Sequence, residues 1–206
     1  MRKFSLLSGA LAISAISAAA NAQIIGAGTA IANDQLDSAG GRINIDLGDP
    51  ESLPAGSYTA SLFNYDSGGA GDVTPFLAVD DGAGGWNVIA VGATVNTPAG
   101  NSLDQSVTFG GFDAFILGAP TTVYAGITNV SQNPIYHNFL PSTDHDTNGA
   151  NNAWDFSLIV GQNILPVDNP DIPRQYAFSV EVVPEPASLS LLGLGGLALL
   201  KRRRNA

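Results

Sequence analysis

Apolar and polar residues alternate along much of the chain between residues 23 and 183, at the period of two that a half-buried β-strand requires. The clearest case is residues 175–182, where Tyr176, Phe178, Val180 and Val182 fall on one face. Alternation or a short apolar run predicts further strands at residues 42–47, 57–63, 73–79, 86–91, 106–109, 114–117, 122–128 and 154–160.

Clusters of Gly, Pro and Asp separate these predicted strands and predict turns. They lie at residues 49–50, 53–56, 66–69, 80–85 and 97–100. Short strands joined by such turns, without a repeat of fixed period, are typical of all-β domains. The pattern therefore predicts one antiparallel β-sandwich or jelly-roll-like domain over residues 23–183.

The first residues have the order of a secretory signal peptide. A basic start at Arg2 and Lys3 precedes residues 4–20, which are free of charge, and the small residues of Ala20-Asn21-Ala22 follow. We predict a signal helix in residues 1–22 and cleavage by signal peptidase between Ala22 and Gln23. The competing interpretation is a membrane helix that is retained.

Three segments follow one another at the other end of the chain. They are Pro184-Glu185-Pro186, the uncharged residues 187–200, and the basic residues 201–204 of the tail 201–206. Because each proline fixes its φ and lacks an N–H, we expect an extended, unpaired backbone at residues 184–186. The apolar segment would span roughly 21 Å as a helix, against about 30 Å of hydrocarbon, but flanking Lys and Arg side chains can reach the headgroups. We expect a short transmembrane helix with the tail in the cytoplasm and the domain outside.

The tail resembles the PEP-CTERM sorting signal of bacterial proteins associated with exopolysaccharide. The resemblance covers about the last 25 residues and includes Val183 and Ala187-Ser188 beside the motif. It implies recognition by an exosortase, a membrane enzyme that processes the tail. It also implies an exported protein, anchored by its C-terminal helix and then found at the cell surface, secreted, or in a polysaccharide matrix. The resemblance does not give the activity of the middle domain, for which our leading interpretation is a non-enzymatic surface or matrix role.

Part of the middle domain also resembles a β-rich domain found upstream of PEP-CTERM tails. The similar segments are LPAGSYTASLFNYDS, GDVTPFLAVDDG, WNVIAVG and TTVYAGITN, all within residues 53–129. This second resemblance implies an architecture and no activity.

Charge is distributed unevenly between the domain and its two ends. Residues 23–183 contain two cations, Arg42 and Arg174, and seventeen acids, which gives a formal charge of −15. Such a surface repels nucleic acid, so we expect no nucleic-acid partner. The chain has no cysteine, which excludes disulfides, thiolate metal sites and a cysteine nucleophile.

Two other functions are open alternatives. A carbohydrate-binding module could stack sugar rings on Trp86, Trp154, Tyr124 and Tyr136, although aromatic side chains of a sandwich are more often core. A secreted hydrolase could use a pair of carboxylates or a histidine, but no G-x-S-x-G motif is present. His137 and His145 both fall in residues 133–152, which have a loop-like composition.

One short segment has the spacing of a calcium loop. Asp144, Asp146 and Asn148 alternate before Gly149, with Asn152 and Asp155 at the ninth and twelfth positions. Calcium takes six to eight oxygen ligands, which such a loop can supply from one segment. The flanking sequence is not helical, so the hypothesis is a calcium loop within a β-domain. The alternative is a turn without an ion.

Calcium should therefore stabilise the domain of residues 23–183. At a hundredfold excess over the dissociation constant, binding to the folded state alone adds about 2.7 kcal/mol, which raises the melting temperature by several degrees. Melting curves with calcium, magnesium and chelator measure this. Equal shifts from both ions, or a calcium shift that survives Asp144→Ala with Asp146→Ala, would reject a site in this loop.

Overall fold

The computed structural model describes eleven parts of the chain. They are residues 21–28, 35–36, 43–99, 102–108, 112, 114–129, 135–138, 147–149, 158–164, 166–168 and 175–185. Residues 21–185 form one compact unit.

The described residues contain seventeen strands and no helix. In chain order the strands are β1 (Gln23–Ile25), β2 (Gln35–Leu36), β3 (Ile43–Ile45), β4 (Glu51–Leu53), β5 (Gly56–Ser67), β6 (Gly71–Asp80), β7 (Trp86–Val91), β8 (Val95–Thr97), β9 (Ser102–Thr108), β10 (Phe115–Leu117), β11 (Thr121–Asn129), β12 (Tyr136–Asn138), β13 (Thr147–Gly149), β14 (Asn163–Ile164), β15 (Pro166–Asp168), β16 (Gln175–Tyr176) and β17 (Phe178–Pro184).

Two large antiparallel sheets organise these strands. The first has the order β1-β17-β5-β10, and β9 also pairs with β5. The second has the order β14-β7-β6-β11-β3, with β4 on β11 and β8 on β6. Two smaller antiparallel groups are β16-β12-β2 and β13-β15. The predicted all-β, antiparallel fold is confirmed.

One hydrophobic core joins the two large sheets. The first sheet contributes Tyr58, Phe63, Phe178 and Val180, and the second contributes Val73, Leu77, Ala125 and Ile127. The period of two holds along the core strands, except that on β5 it shifts by one residue between Ala60 and Phe63, opposite a register shift of β17. As the sequence predicts, Tyr176, Phe178, Val180 and Val182 share one face, and all four are buried in this cluster. Burial of this apolar surface is the main source of stability in a chain that has no cysteine to form disulfides.

The second sheet also carries a smaller apolar cluster. It contains Ile43, Ile45, Phe76, Ala78, Val88, Leu158 and Ile164. On β11, Val123, Ala125 and Ile127 belong to the main core while Tyr124 packs against this second cluster, so the two clusters lie on opposite faces of the sheet. The second sheet is therefore apolar on both faces, which explains why its strands β6 and β7 read as nearly continuous apolar runs.

Several predicted boundaries differ from the structure, and two of these differences have a clear physical cause. Residues 158–160, expected in a strand over 154–160, lead into a turn in which Gln162 N–H donates to Ile159 O at 3.1 Å. Residues 66–67, expected in a turn, end β5 instead. Asp66 stays in the strand because its N–H donates to Ala177 O at 3.0 Å and its buried carboxylate accepts from Asp104 N–H at 2.6 Å.

The segment after β1 is fixed by a buried carboxylate. Asp46 accepts Ala27 N–H at 2.7 Å, and its other oxygen accepts Gly48 N–H at 3.0 Å and Asp49 N–H at 3.1 Å. Gly26 adopts φ +102°, and a Cβ there would lie 2.8 Å from Phe178 O, so glycine is required at this close approach. The first described strand is thereby held to the domain.

Gly126 on β11 lies directly under the buried ring of Phe76 on β6, its cross-strand partner. A Cβ at residue 126 would overlap that ring. Gly126→Ala should cost about 1 to 3 kcal/mol through overpacking, and should lower the melting temperature by several degrees in a domain of this size.

Gly118→Ala is the matched control for this prediction, because a Cβ at residue 118 meets no atom within 4 Å. Its melting temperature should equal that of the parent. Circular dichroism melting of the three proteins compares them, and equal melting temperatures for Gly126→Ala and Gly118→Ala would contradict the packing of Phe76 on Gly126.

Candidate functional site

The last strand ends inside the predicted sorting motif. Pro184 is the final residue of β17 and pairs with Tyr58 of β5. Glu185 N–H, one residue on, donates to Ser57 O at 2.8 Å. Because successive residues of a strand point their backbone groups to opposite edges, the nitrogen of Pro184 points away from β5. A proline is tolerated there, since its missing donor is not needed by this ladder.

The side chain of Glu185 is also bound to β5. Ser57 Oγ donates to Glu185 Oε2 at 2.8 Å, and Thr59 Oγ1 donates to Glu185 Oε1 at 3.3 Å. Each oxygen of the exposed carboxylate therefore accepts one hydroxyl donor from the same strand. Together with the backbone bond at Ser57, three hydrogen bonds hold the motif's central residue on the domain.

A third hydroxyl continues the row along β5. Ser61 Oγ lies 3.4 Å from both the carbonyl oxygen and Oε1 of Glu181. Glu181 lies on β17, four residues before Glu185 in the chain. Ser57, Thr59 and Ser61 alternate along the strand, so they share one face, and all three are half-buried. We call these three residues the hydroxyl row.

Tyr58 supports the start of β5 from the core side. Its ring stacks on Phe115 of β10 at a centroid distance of 5.5 Å, and its hydroxyl donates to Pro54 O at 2.8 Å. Burial raises the pKa of Tyr58, which keeps the hydroxyl protonated as that donor. The backbone that presents Ser57 and Thr59 is thus fixed by packing on its opposite face.

The expected unpaired backbone is wrong for the two motif residues that the structure describes. Pro184 lies in the β17–β5 ladder, and the N–H of Glu185 is bonded to Ser57. The physical reason is that β17 continues past the buried Val182 as far as β5 offers partners. Pro186 and the predicted helix 187–200 lie outside the described residues. No helix within the described residues is long and apolar enough to cross a membrane.

The predicted signal cleavage site lies beside the same end of β17. Gln23 is the first residue of β1 and pairs with Val182, two residues before Pro184. Ala22 precedes the strand and is exposed. The predicted mature N-terminus and the sorting motif therefore leave the five-stranded sheet at one end, on neighbouring antiparallel strands. Residues 1–20, which include the predicted signal helix, lie outside the described residues.

The calcium hypothesis falls mostly outside the described part of the chain. Of its five ligands, Asn148 lies in β13, paired with Val167 of β15, while Asp144, Asp146, Asn152 and Asp155 are not described. Within the described ranges, no group of three or more His, Cys, Asp or Glu residues is placed to hold a metal ion. Calcium binding by residues 144–155 stays a prediction.

Aspartates of the described turns act as caps of their own backbone, as is usual for Asp in Gly-rich turns. Asp80 accepts Gly82 N–H at 2.7 Å, and Asp81 accepts Ala83 N–H at 2.7 Å and Gly85 N–H at 2.8 Å. The amide of Asn163, followed by these backbone donors, lowers the pKa of Asp81. Both carboxylates therefore stabilise the turn through these hydrogen bonds.

The described aromatic and histidine candidates lie against the second cluster or in a strand. Trp86 and Tyr124 are partly buried against the second cluster. His137 lies in β12, paired with Tyr176 of β16, where we expected a loop. Trp154 and His145 lie outside the described residues, and of Tyr136 only the backbone, in β12, is described.

Sequence reasoning missed the hydroxyl row entirely. A weak signal was present, because GSYTASLF alternates Ser57, Thr59 and Ser61 with the buried Tyr58 and Ala60. That alternation indicates a polar face on β5. It does not indicate that the partner of this face lies more than 100 residues away, at Glu181 and Glu185.

Comparison with known families identifies the tail. Residues 182–204 match a family model described as the PEP-CTERM protein-sorting motif, which includes all of Pro184, Glu185 and Pro186. No curated protein and no solved structure matches the chain. Residues 182–204 therefore carry a PEP-CTERM protein-sorting motif, the type of signal that an exosortase processes, and this motif begins within the last core strand.

Proposed function

We propose that this protein is exported through its signal peptide, held by its apolar tail, and delivered to the cell surface as a non-enzymatic β-domain after an exosortase processes the tail. The observation that carries the proposal is the sorting motif at residues 182–204, which begins within the last core strand. Sorting therefore acts at the boundary of the folded domain, not on a separate linker.

The fold supports two membrane-directed ends on one side of the domain. Gln23 on β1 and Pro184 on β17 lie on adjacent strands, so the segments before and after them start from the same end of the five-stranded sheet. Signal peptidase and an exosortase would both act on the chain at a membrane. A domain with both ends together can meet the two enzymes without reorientation.

A surface or matrix role agrees with how the domain uses its acids. The described carboxylates of Asp46, Asp80 and Asp81 cap backbone N–H groups, and those of Glu181 and Glu185 face the hydroxyl row. The remaining negative charge favours solubility outside the cell. Extracellular polysaccharide is the proposed surrounding of the mature protein, on the strength of the tail's family.

Replacement of Pro184-Glu185-Pro186 by three alanines should leave the full-length protein in the membrane fraction. The reason is that the processing enzyme would lose both the rigid backbone and the carboxylate that distinguish this segment. Immunoblots of membrane and released fractions, made in a host that has the sorting enzyme, measure the ratio of full-length to processed protein.

Pro120→Ala is the control for this experiment, since it removes an exposed proline from the β10–β11 connection without touching the motif. It should be processed like the parent. Normal processing and release of the triple-alanine protein would show that residues 184–186 are not the sorting signal.

A further inference from the structure

Glu185, the glutamate of the sorting motif, is hydrogen-bonded to the folded domain. Glu185 uses its N–H and both carboxylate oxygens in hydrogen bonds to Ser57 and Thr59. An enzyme that binds residues 184–186 in a cleft needs access to the same backbone and the same carboxylate. The docked arrangement and the enzyme-bound arrangement therefore compete for one set of groups.

We propose that Ser57 and Thr59 are positioning residues that hold Glu185 on β5 and thereby set how fast the sorting enzyme takes up the motif. The inference rests on the proposed function of the tail. Residues 183–185 exchange between a docked form, paired with β5, and a released form, which the enzyme binds. The enzyme's apparent affinity falls in proportion to the released fraction.

The structure limits how far the chain can detach. Val182 is fully buried in the main core and also pairs with Gln23 of β1, so it resists separation from the sheet. Val183 and Pro184 are only partly buried, and Glu185 is exposed. Release therefore breaks the bonds of Glu185 and the last β17–β5 pairs, with the hinge between Val182 and Val183.

Hydroxyl groups supply the donors that bind the Glu185 carboxylate. They donate to the carboxylate without adding charge, and Glu185 is exposed, so the contact contributes little net free energy and can open. Lys and Arg are absent between residues 43 and 173, so β5 offers Glu185 no cationic partner of its own. Hydrogen bonds of this type contribute modestly each, and two of them at the low end of the usual range shift the docked-to-released ratio by about fivefold.

The test uses Ser57→Ala and Thr59→Val in the full chain, followed by pulse-chase measurement of the processing rate in a host with the sorting enzyme. Each variant removes one hydroxyl and keeps the backbone acceptor at residue 57. The double variant should be processed about five times faster than the parent.

Two controls separate positioning from general stability. Ser61→Ala removes the third hydroxyl of the row, which faces Glu181, and should leave the processing rate unchanged. Ser57→Thr keeps a hydroxyl at residue 57 and should restore the parental rate. Melting temperatures of Ser57→Ala and Ser61→Ala should agree, so that a difference in processing reports on Glu185.

An unchanged or slower rate in the double variant would overturn the inference, as would equal acceleration by Ser61→Ala. These outcomes differ from failure of the proposed function. If the triple-alanine protein is blocked while Ser57→Ala with Thr59→Val behaves like the parent, the motif is the signal and the domain does not control it.

Discussion

The pairing of β17 with β5 is the interaction on which the rest of the structure depends. It runs from Phe178 against Tyr65 to Pro184 against Tyr58, and β1, β9 and β10 join the sheet on one or other of these two strands. The same pairing buries Phe178, Val180 and Val182 against the second sheet. A ladder between segments about 120 residues apart thus closes the core and sets the position of the motif.

The consequence for function is that β17 belongs both to the core sheet and to the sorting motif. The first four residues of β17, 178–181, precede the matched sorting segment, while its last three, 182–184, belong to that segment. A register shift between Glu181 and Val182 occurs where the two meet. Such irregularities bend a strand and turn its end. The hydroxyl row then holds the end of the strand where this bend places it.

The sequence predicts most of the strands because their alternation is local. Residues 86–91 were predicted with the bounds that the structure gives β7, and Tyr176, Phe178, Val180 and Val182 were predicted on one buried face. The extension of β5 through Asp66 could not be predicted, since it depends on Asp104 and Ala177. Partners that distant leave no trace in a local pattern.

The same limit applies to the candidate site. Pro184 and Glu185 were identified from their order before an apolar segment and a basic tail, which is a local property. Their attachment to Ser57 and Thr59 is a long-range property and was missed, and a free backbone was expected in its place. Prolines in a motif indicate an extended backbone, but a residue in an extended backbone can still form the last pair of a β-ladder.

Exchange of the Glu185 amide with deuterium tests most directly whether the motif is part of the folded sheet. The full-length protein, purified in detergent, is digested after labelling, and overlapping peptides that end on either side of residue 185 isolate this amide. The bond from Glu185 N–H to Ser57 O predicts exchange clearly slower than that of an unstructured peptide of the same sequence. Exchange at the unstructured rate, while Val182 stays protected, would show that Glu185 is not docked on β5. It would also contradict the control of processing by Ser57 and Thr59.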